Sequence, residues 1–338
     1  MSAAVDSLHD HPVVAVIGNP NTGKSTVFNA LTGLRQKTAN YPGVTVERHT
    51  GTLRTDAGSL NLVDLPGTYS LSAQSPDEMV AVDVLLGHVE DMQRPRAILA
   101  VVDATNLRRN LFLVTQLAEL GLPIVLAVNM ADIAASREIE IDYAQLEAEL
   151  GVCVVPTVAT TGENLGERKK ALARAVTADA PRRHDLLPAV SDAVRSLWHK
   201  ARKAGSHLTE YEVERALIDA QGAAERRFEF STNPELTAEL QDLRMRLAAG
   251  SPLAAMEAKA RYDFIGRLLA RVERRAPPRR SFADTLDAVT NHPVWGSLLF
   301  LLVMASVFQA VFSWAAPMMD LIDGIAARLI ASVQANLP

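Results

Sequence analysis

Apolar residues in the first half of the chain gather in short runs, and helical periodicities fill the intervals between them. VVAVI at 13–17 predicts a buried strand, because an unbroken apolar run of that length leaves no polar face for water. A loop over 18–24 follows, and then a helix from near Ser25 to about Gly33. RHTGTLRT (48–55) and SLNLVDLPG (59–67) predict two strands joined at Asp56–Gly58, a turn signal. AILAVVDA (97–104) and PIVLAVNMAD (123–132) predict two more, each followed by a helical pattern, and GVCVVPTVA (151–159) predicts the last. Strands alternating with helices imply an α/β fold: a mostly parallel sheet covered on both faces, over residues 1 to about 170.

From Glu167 to Arg275 the strand signal almost disappears. Apolar positions recur at helical spacing, as in Leu197, Trp198, Ala201 and Leu208. Breakers at Pro181, Pro188, Gly205, Pro234 and Pro252 divide the stretch into several helices, so an all-α bundle is predicted, its charges forming a solvated outer face. Val294–Met319 then carries no charge over 26 residues. About 20 apolar residues cross a bilayer's hydrocarbon core, so this run predicts one transmembrane helix. Trp295 and Trp314 lie towards its ends, and Arg271, Arg274, Arg275, Arg279 and Arg280 precede it, placing its N-terminal side in the cytoplasm. The expected organisation is a flexible tail (1–11), an α/β domain (12–170), a helical domain (171–275), a basic linker (276–293), the span (294–319) and an amphipathic start of a further membrane region (320–338).

Composition narrows the function. The 338 residues carry a net charge of −5, which excludes a general nucleic-acid binder, since phosphate backbones demand clustered Lys and Arg. The one cysteine, Cys153, excludes an intrachain disulfide and any multi-cysteine metal site; lying in GVCVVP, it reads as core packing. MSAAVDSLHDHP lacks the basic start and apolar run of a secretory signal, and His9, Asp10 and His11 read as part of a loose tail.

The chemistry sits in short motifs. Gly18, Asn19, Pro20, Asn21, Thr22, Gly23, Lys24 and Ser25 spell GNPNTGKS between a strand and a helix that continues through Thr26. Backbone N–H groups of such a loop turn inward around phosphate oxygens, Lys24 reaches the terminal phosphates, and the Ser25 hydroxyl can ligate Mg²⁺. NMAD closes a strand with Asn129, Met130 and Asp132. The Asp132 carboxylate can accept both N–H donors on guanine's Watson–Crick edge, and Met130 stands where many GTPases carry a lysine whose stem lies along the base. In TVATTG, Val158, Ala159 and Thr160 would bring the Ala159 N–H to the guanine carbonyl. Asp64, Leu65, Pro66 and Gly67 form DLPG, where Asp64 would hold Mg²⁺ through water and the Gly67 N–H would meet the γ-phosphate. Gly43, Val44 and Thr45, in YPGVTVE, supply a candidate sensor whose Thr45 hydroxyl reaches Mg²⁺ only when the γ-phosphate is present. Lys24, Thr45 and Gly67 are thus the expected catalytic group. After DLPG comes Thr68 and then Tyr69, not the water-orienting glutamine of many signalling GTPases. Intrinsic hydrolysis is therefore expected to be slow, or water is positioned by backbone or by a cation.

With those motifs in place, the chain resembles the FeoB family, the bacterial ferrous iron transport proteins B. GNPNTGKSTVFNALTG, NYPGVTVE, DLPGTYSL, SPDE, DATNLRRNLFLVTQL and PIVLAVNMAD carry the resemblance, as does the order of GTPase domain, helical domain and a first span after HPVWG. It implies a GTP/GDP- and Mg²⁺-dependent switch that controls Fe²⁺ entry across the cytoplasmic membrane, its N-terminal domains in the cytoplasm. It also implies small iron-transport accessory proteins and a homo-oligomer as partners, and a helical domain that modulates nucleotide release. In that family a phosphate-loop asparagine helps bind K⁺, and Asn21 matches it. The family's membrane region is long and polytopic. Only one span is present here, with no Cys, His, Asp or Glu, so the chain is expected to be a piece lacking most of the permease. A membrane-tethered regulatory GTPase that transports nothing is the alternative; a GTPase of RNA modification or ribosome assembly and a plain helical interaction protein with a degenerate site are further rivals.

Overall fold

The computed structural model describes residues 11–33, 36–41, 46–72, 76–89, 92–162, 164–181, 183–248, 250–275 and 290–336. They fall into two compact units, Met1–Ala276 and Pro277–Pro338. The tail residues His9 and Asp10, the sensor stretch Gly43, Val44 and Thr45, and Arg279 and Arg280 of the basic linker lie outside the described residues.

The first unit opens with β1 (Val13–Gly18), α1 (Lys24–Thr32), β2 (Gln36–Asn40), β3 (Glu47–Thr55), β4 (Gly58–Asp64) and α2 (Pro76–Leu86). It continues through β5 (Ala97–Asp103), α3 (Leu107–Leu117), β6 (Ile124–Asn129), α4 (Ala131–Ser136), β7 (Ile139–Ile141), α5 (Tyr143–Leu150), β8 (Cys153–Pro156) and α6 (Leu165–Ala175). Seven strands form one sheet in the order β2-β3-β4-β1-β5-β6-β8. Only the β2–β3 and β3–β4 pairs are antiparallel, so the sheet is mostly parallel, as expected. Alternation along β1 shows why the run is apolar throughout. Val13, Ala15 and Ile17 enter the core on one face while Val14 and Val16 enter the core on the other. The short, polar β2 (QKTAN) carries no apolar signal and was not expected. Cys153 sits on β8 and is only partly buried, less than its apolar neighbours suggested.

Helix α6 crosses residue 170 and packs Ala171, Leu172 and Ala175 under the sheet. After it come α7 (Pro188–Lys203), α8 (Glu210–Ile218), α9 (Ala223–Ser231), α10 (Pro234–Ala248) and α11 (Leu253–Val272). Val190, Val194, Leu197, Ala201, Leu208, Phe228 and Leu240 build a separate apolar cluster there. Trp198 is half-buried at its edge, its Nε1 donating to the Leu208 carbonyl at 2.9 Å. Thr209 and Glu212 start α8 with a reciprocal capping box.

The helical segment does not stand apart. Ile265, Leu268 and Val272 of α11 and Tyr211 of α8 belong to the same apolar cluster as β1 and α3. After α11 the chain forms a strand where none was expected: β9 (Glu273–Arg275) pairs antiparallel with β7. Arg274 and Arg275 thus lie in a ladder of the first unit, and Arg271 reaches Glu149 at 3.1 Å.

One buried carboxyl in this segment gives a pH-dependent expectation. Burial pushes Glu214 from its ordinary value of 4.5 up to about 7, helped by the negative charge of Glu119 and opposed by Arg183, which it meets at 2.6 Å. Its side chain is 7% exposed, so desolvation outweighs the ion pair. The fold therefore favours the protonated acid, and that stabilisation is lost as pH rises through about 7. Relative to wild type, Glu214→Gln should gain stability between about pH 5 and pH 8. A flat difference in denaturation midpoints across that window would show Glu214 to be ionised throughout.

The second unit contains one described rod. Helix α12 (Trp295–Gln309) passes through a π turn, Ala310–Trp314, into α13 (Ala315–Asn336). The helix runs on beyond Met319, where the uncharged run ends. Trp295–Ser332 is long and apolar enough to cross a membrane and is the one such helix among the described residues.

Candidate nucleotide-binding site

The carboxyl ends of β1, β4, β5 and β6 share one edge of the sheet, where α/β folds bind ligands. Registry fixes this: Val16 pairs with Asp64, Gly18 with Val101, and Asp103 with Asn129. The loop from Gly18 to Gly23 bends over that edge and leads into α1. A Cβ on Gly18 would lie 2.3 Å from the Val101 carbonyl oxygen, so the strand pairing itself requires glycine. Asn21 sits at φ 66°, a left-handed conformation that asparagine tolerates, and its side chain is exposed at the loop's tip. The Thr22 hydroxyl donates to the Asn19 carbonyl at 2.9 Å, closing the turn from inside. Asn19 is 2% exposed, and its amide nitrogen and oxygen make no hydrogen bond among the described residues.

Asn129 joins the loop to the opposite side of the site. Its Nδ2 donates to the Thr22 carbonyl at 2.9 Å, and its Oδ1 accepts from the Ala159 N–H at 3.0 Å. Both ends of this buried amide are used by the protein. The Ala159 N–H, expected near a guanine carbonyl, donates here to the Asn129 side chain. Val158 and Ala159 are buried and Thr160 is exposed beside them. Gly23, at φ 79°, lies directly against the strut: a Cβ there would come within 2.3 Å of Asn129 Nδ2 and 3.9 Å of the Met130 methyl carbon. Met130 is half-buried and also left-handed, at φ 61°, which turns the chain into α4. Asp132 in the first turn of that helix is exposed and makes no hydrogen bond or ion pair to the described residues. A free acceptor therefore follows, two residues on, the thioether that lies against the phosphate loop.

Lys24 and Asp64 form a close ion pair, with side chains 13% and 9% exposed. The ammonium expected at the phosphates and the carboxylate expected at Mg²⁺ thus converge on one point. Ser25 and Thr26 are exposed at the start of α1. Leu65 is buried and Pro66 half-buried, while Gly67 lies against the loop, where a Cβ would sit 3.4 Å from the Pro20 nitrogen. Thr68 is 1% exposed; its N–H donates to the Gly18 carbonyl at 3.2 Å and its hydroxyl to the Ser70 carbonyl at 2.6 Å. Its side chain points into the protein. Tyr69 is 42% exposed, with the Arg109 guanidinium 4.2 Å from its ring centroid.

Three contributors went unrecognised in the sequence. Gln116 accepts from the Leu71 N–H at 2.8 Å and holds the segment after DLPG. Arg215 donates to the Ser72 hydroxyl at 3.1 Å and so ties the same segment to α8. Tyr41 is buried, its N–H donating to the Val46 carbonyl at 2.9 Å, and burial pushes its hydroxyl well above the ordinary tyrosine pKa. The motifs DATNLRRNLFLVTQL and NYPGVTVE contained Gln116 and Tyr41, but nothing local marked either as structural.

The donor set suits hard cations. The Ser25 hydroxyl makes no hydrogen bond among the described residues, and with the Asp64 carboxylate it offers the oxygen ligands that Mg²⁺ prefers. Among the described residues no group of three or more His, Cys, Asp or Glu could hold a metal ion.

Comparison with known proteins places this geometry. The family model for "Ferrous iron transport protein B" matches residues 12–172. A Porphyromonas gingivalis "Fe(2+) transport protein A/Fe(2+) transporter FeoB fusion protein" is 33% identical over 328 residues, 92% of this chain and 38% of the relative. The Salmonella typhimurium "Fe(2+) transporter FeoB" is 47% identical over 165 residues, 48% of this chain and 21% of the relative. The chain thus spans well under half the length of these relatives. Among solved structures, a point mutant of S. thermophilus NFeoB bound to GDP superposes with a TM-score of 0.68 at 33% identity, covering 78% of this chain and 100% of that one.

Proposed function

Because the chain belongs to the FeoB family, with a P-loop GTPase fold, we propose that it is the GTP-binding and GTP-hydrolysing switch of an Fe²⁺ transporter of the cytoplasmic membrane. The observation that carries the guanine reading is the Asn129 strut, which locks the phosphate loop to the TVATTG turn three residues before the exposed Asp132 carboxylate. In this reading Lys24 leaves Asp64 for the β- and γ-phosphates, and the loop's N–H groups surround them. Ser25, Asp64 and Thr45 would hold Mg²⁺, which would supply positive charge at the phosphates. The Gly67 N–H meets the γ-phosphate. Residues 12–275 lie in the cytoplasm and 294–319 within the bilayer.

Asp132 tests the base. Calorimetric titration should give GTP and GDP affinities far above that for ATP. Asp132→Asn should weaken guanine and favour xanthine, whose C2 oxygen accepts from the new amide. Comparable ATP affinity would sink the guanine assignment.

Asn21 tests the chemistry. With Thr68 turned inward, a cation held by Asn21 would supply positive charge where it develops on the phosphates. Hydrolysis should run faster in K⁺ than in Na⁺ at equal ionic strength, and Asn21→Ala should erase the difference. Equal turnover in both salts would remove K⁺ from the mechanism.

Fe²⁺ is proposed as cargo of the assembled transporter and not as a ligand of this span. Ser297 donates to the Pro293 carbonyl at 2.7 Å, Ser306 to the Leu302 carbonyl at 2.8 Å, and Gln309 to Ser313 Oγ at 2.9 Å, so its polar side chains are engaged within their own helix. A small accessory protein is a proposed partner, since one relative is fused to "Fe(2+) transport protein A". A second copy of the chain is proposed as another.

A further inference from the structure

The rod formed by α12 and α13 changes character along its length. Leu298, Phe300, Leu301, Leu302, Val303 and Phe308 are all at least half exposed. Successive helix positions differ by about 100°, so these side chains point in every direction. A helix apolar all round suits surrounding hydrocarbon. Beyond Met319 the pattern becomes one-sided. At helical spacing Met318, Leu321, Ile322, Ile325 and Leu329 share one face, while Asp320, Asp323, Gly324 and Ala327 lie on the other and Arg328 borders the apolar face beside Leu321. The apolar face is open too: Leu321 is 63% exposed and Leu329 62%.

Length decides what that face does. Trp295–Ser332 is 38 residues, about 57 Å at the helical rise, against a hydrocarbon core of about 30 Å. The uncharged part alone fills the core. A straight rod would then either draw Asp320, Asp323 and Arg328 into hydrocarbon, where a charge is poorly tolerated, or lift the apolar face into water. A bend relieves both, and the helix has a place for one. Pro317 has no N–H to give the Ser313 carbonyl, and the π turn Ala310–Trp314 lies immediately before it.

We infer that Met318–Ser332 is an interfacial helix, hinged at Pro317. It lies along the lipid–water boundary at the end of the span away from the arginines. The inference rests on the membrane reading above. Its occupant is the bilayer surface itself: the apolar face enters the acyl boundary to roughly 5–10 Å, while the two aspartates and Arg328 stay among headgroups and water.

Spin-label accessibility tests it on the full chain in vesicles of phosphatidylethanolamine and phosphatidylglycerol. Cys153→Ser removes the lone thiol, and each of residues 318–332 is then replaced by cysteine and labelled in turn. Collision with oxygen relative to a water-soluble nickel chelate should be severalfold higher at 318, 321, 322, 325 and 329 than at 320, 323, 324 and 327. Labels at 298–308 report the span separately. If those sites face lipid and 318–332 show no helical periodicity, whether all wet or all lipid-exposed, the interfacial helix is wrong and the span stands. If 298–308 are wet, the membrane reading falls and takes this inference with it. Pro317→Ala, which restores an N–H donor for Ser313, should flatten the periodicity; an unchanged pattern would overturn the hinge at Pro317.

Discussion

Gly23→Ala is expected to weaken GDP binding by about two orders of magnitude. The added Cβ would fall 2.3 Å from Asn129 Nδ2, at a residue held at φ 79°. An L side chain in that conformation costs about 1–2 kcal/mol, and displacing the Asn129 amide from a buried hydrogen bond costs about 1–3 kcal/mol more. Each 1.4 kcal/mol is about tenfold in affinity when the loss falls on the binding-competent loop. Gly33→Ala is the comparison. Gly33 is also left-handed, at φ 64°, but a Cβ there meets nothing within 4 Å. It should lower stability by about 1 kcal/mol and leave GDP affinity unchanged. Equal losses of affinity in both variants, measured by calorimetry, would show that backbone strain and not the strut is what matters.

Arg261→Ala should destabilise the first unit by roughly 3–5 kcal/mol, the cost of leaving buried carboxylates without their cation. Arg261 is 2% exposed and joins α11 to α3: it donates to Glu119 at 2.7 Å, to Thr115 at 3.1 Å and to Glu257 at 2.6 Å. Arg215 shares Glu257 at 2.7 Å and continues the network to Ser72, close to DLPG. Burial alone would raise the Glu257 carboxyl, but the charges of Arg215 and Arg261 outweigh it and hold it below the ordinary value. Removing Arg261 reverses part of that balance. A denaturant midpoint shift equivalent to less than about 1 kcal/mol would place the pair among solvated surface ion pairs.

Much of the site was legible because its chemistry is local. GNPNTGKS places its own glycines and lysine within eight residues, and the two strained positions, Gly23 and Asn21, are types that accept a left-handed backbone. Apolar runs located the parallel strands because strands buried on both faces carry no polar alternation. β2 was missed for the converse reason: it is short and polar, and pairing with β3 is what makes it a strand. Thr68 could be read as a missing glutamine, yet its inward turn depends on the Gly18 and Ser70 carbonyls. The bond from the Ala159 N–H to Asn129 was not legible, because its acceptor is a side chain from β6, 30 residues away.

Local pattern by itself therefore determined most element types, the phosphate loop, the candidate base-reading carboxylate and the uncharged run. Backbone conformation and hydrophobic period are set by neighbours within a few residues, so the sequence displays them directly. The tertiary structure decided what those parts hold on to. Asn129 meets Thr22 across 107 positions, Arg261 meets Glu119 across 142, and Ser72 meets Asp219 across 147. It also decided that α11 returns to the α/β core and that β9 closes on β7. No local period encodes such contacts, because each exists only once the sheet and helices have packed and expelled the water that would otherwise solvate its charges.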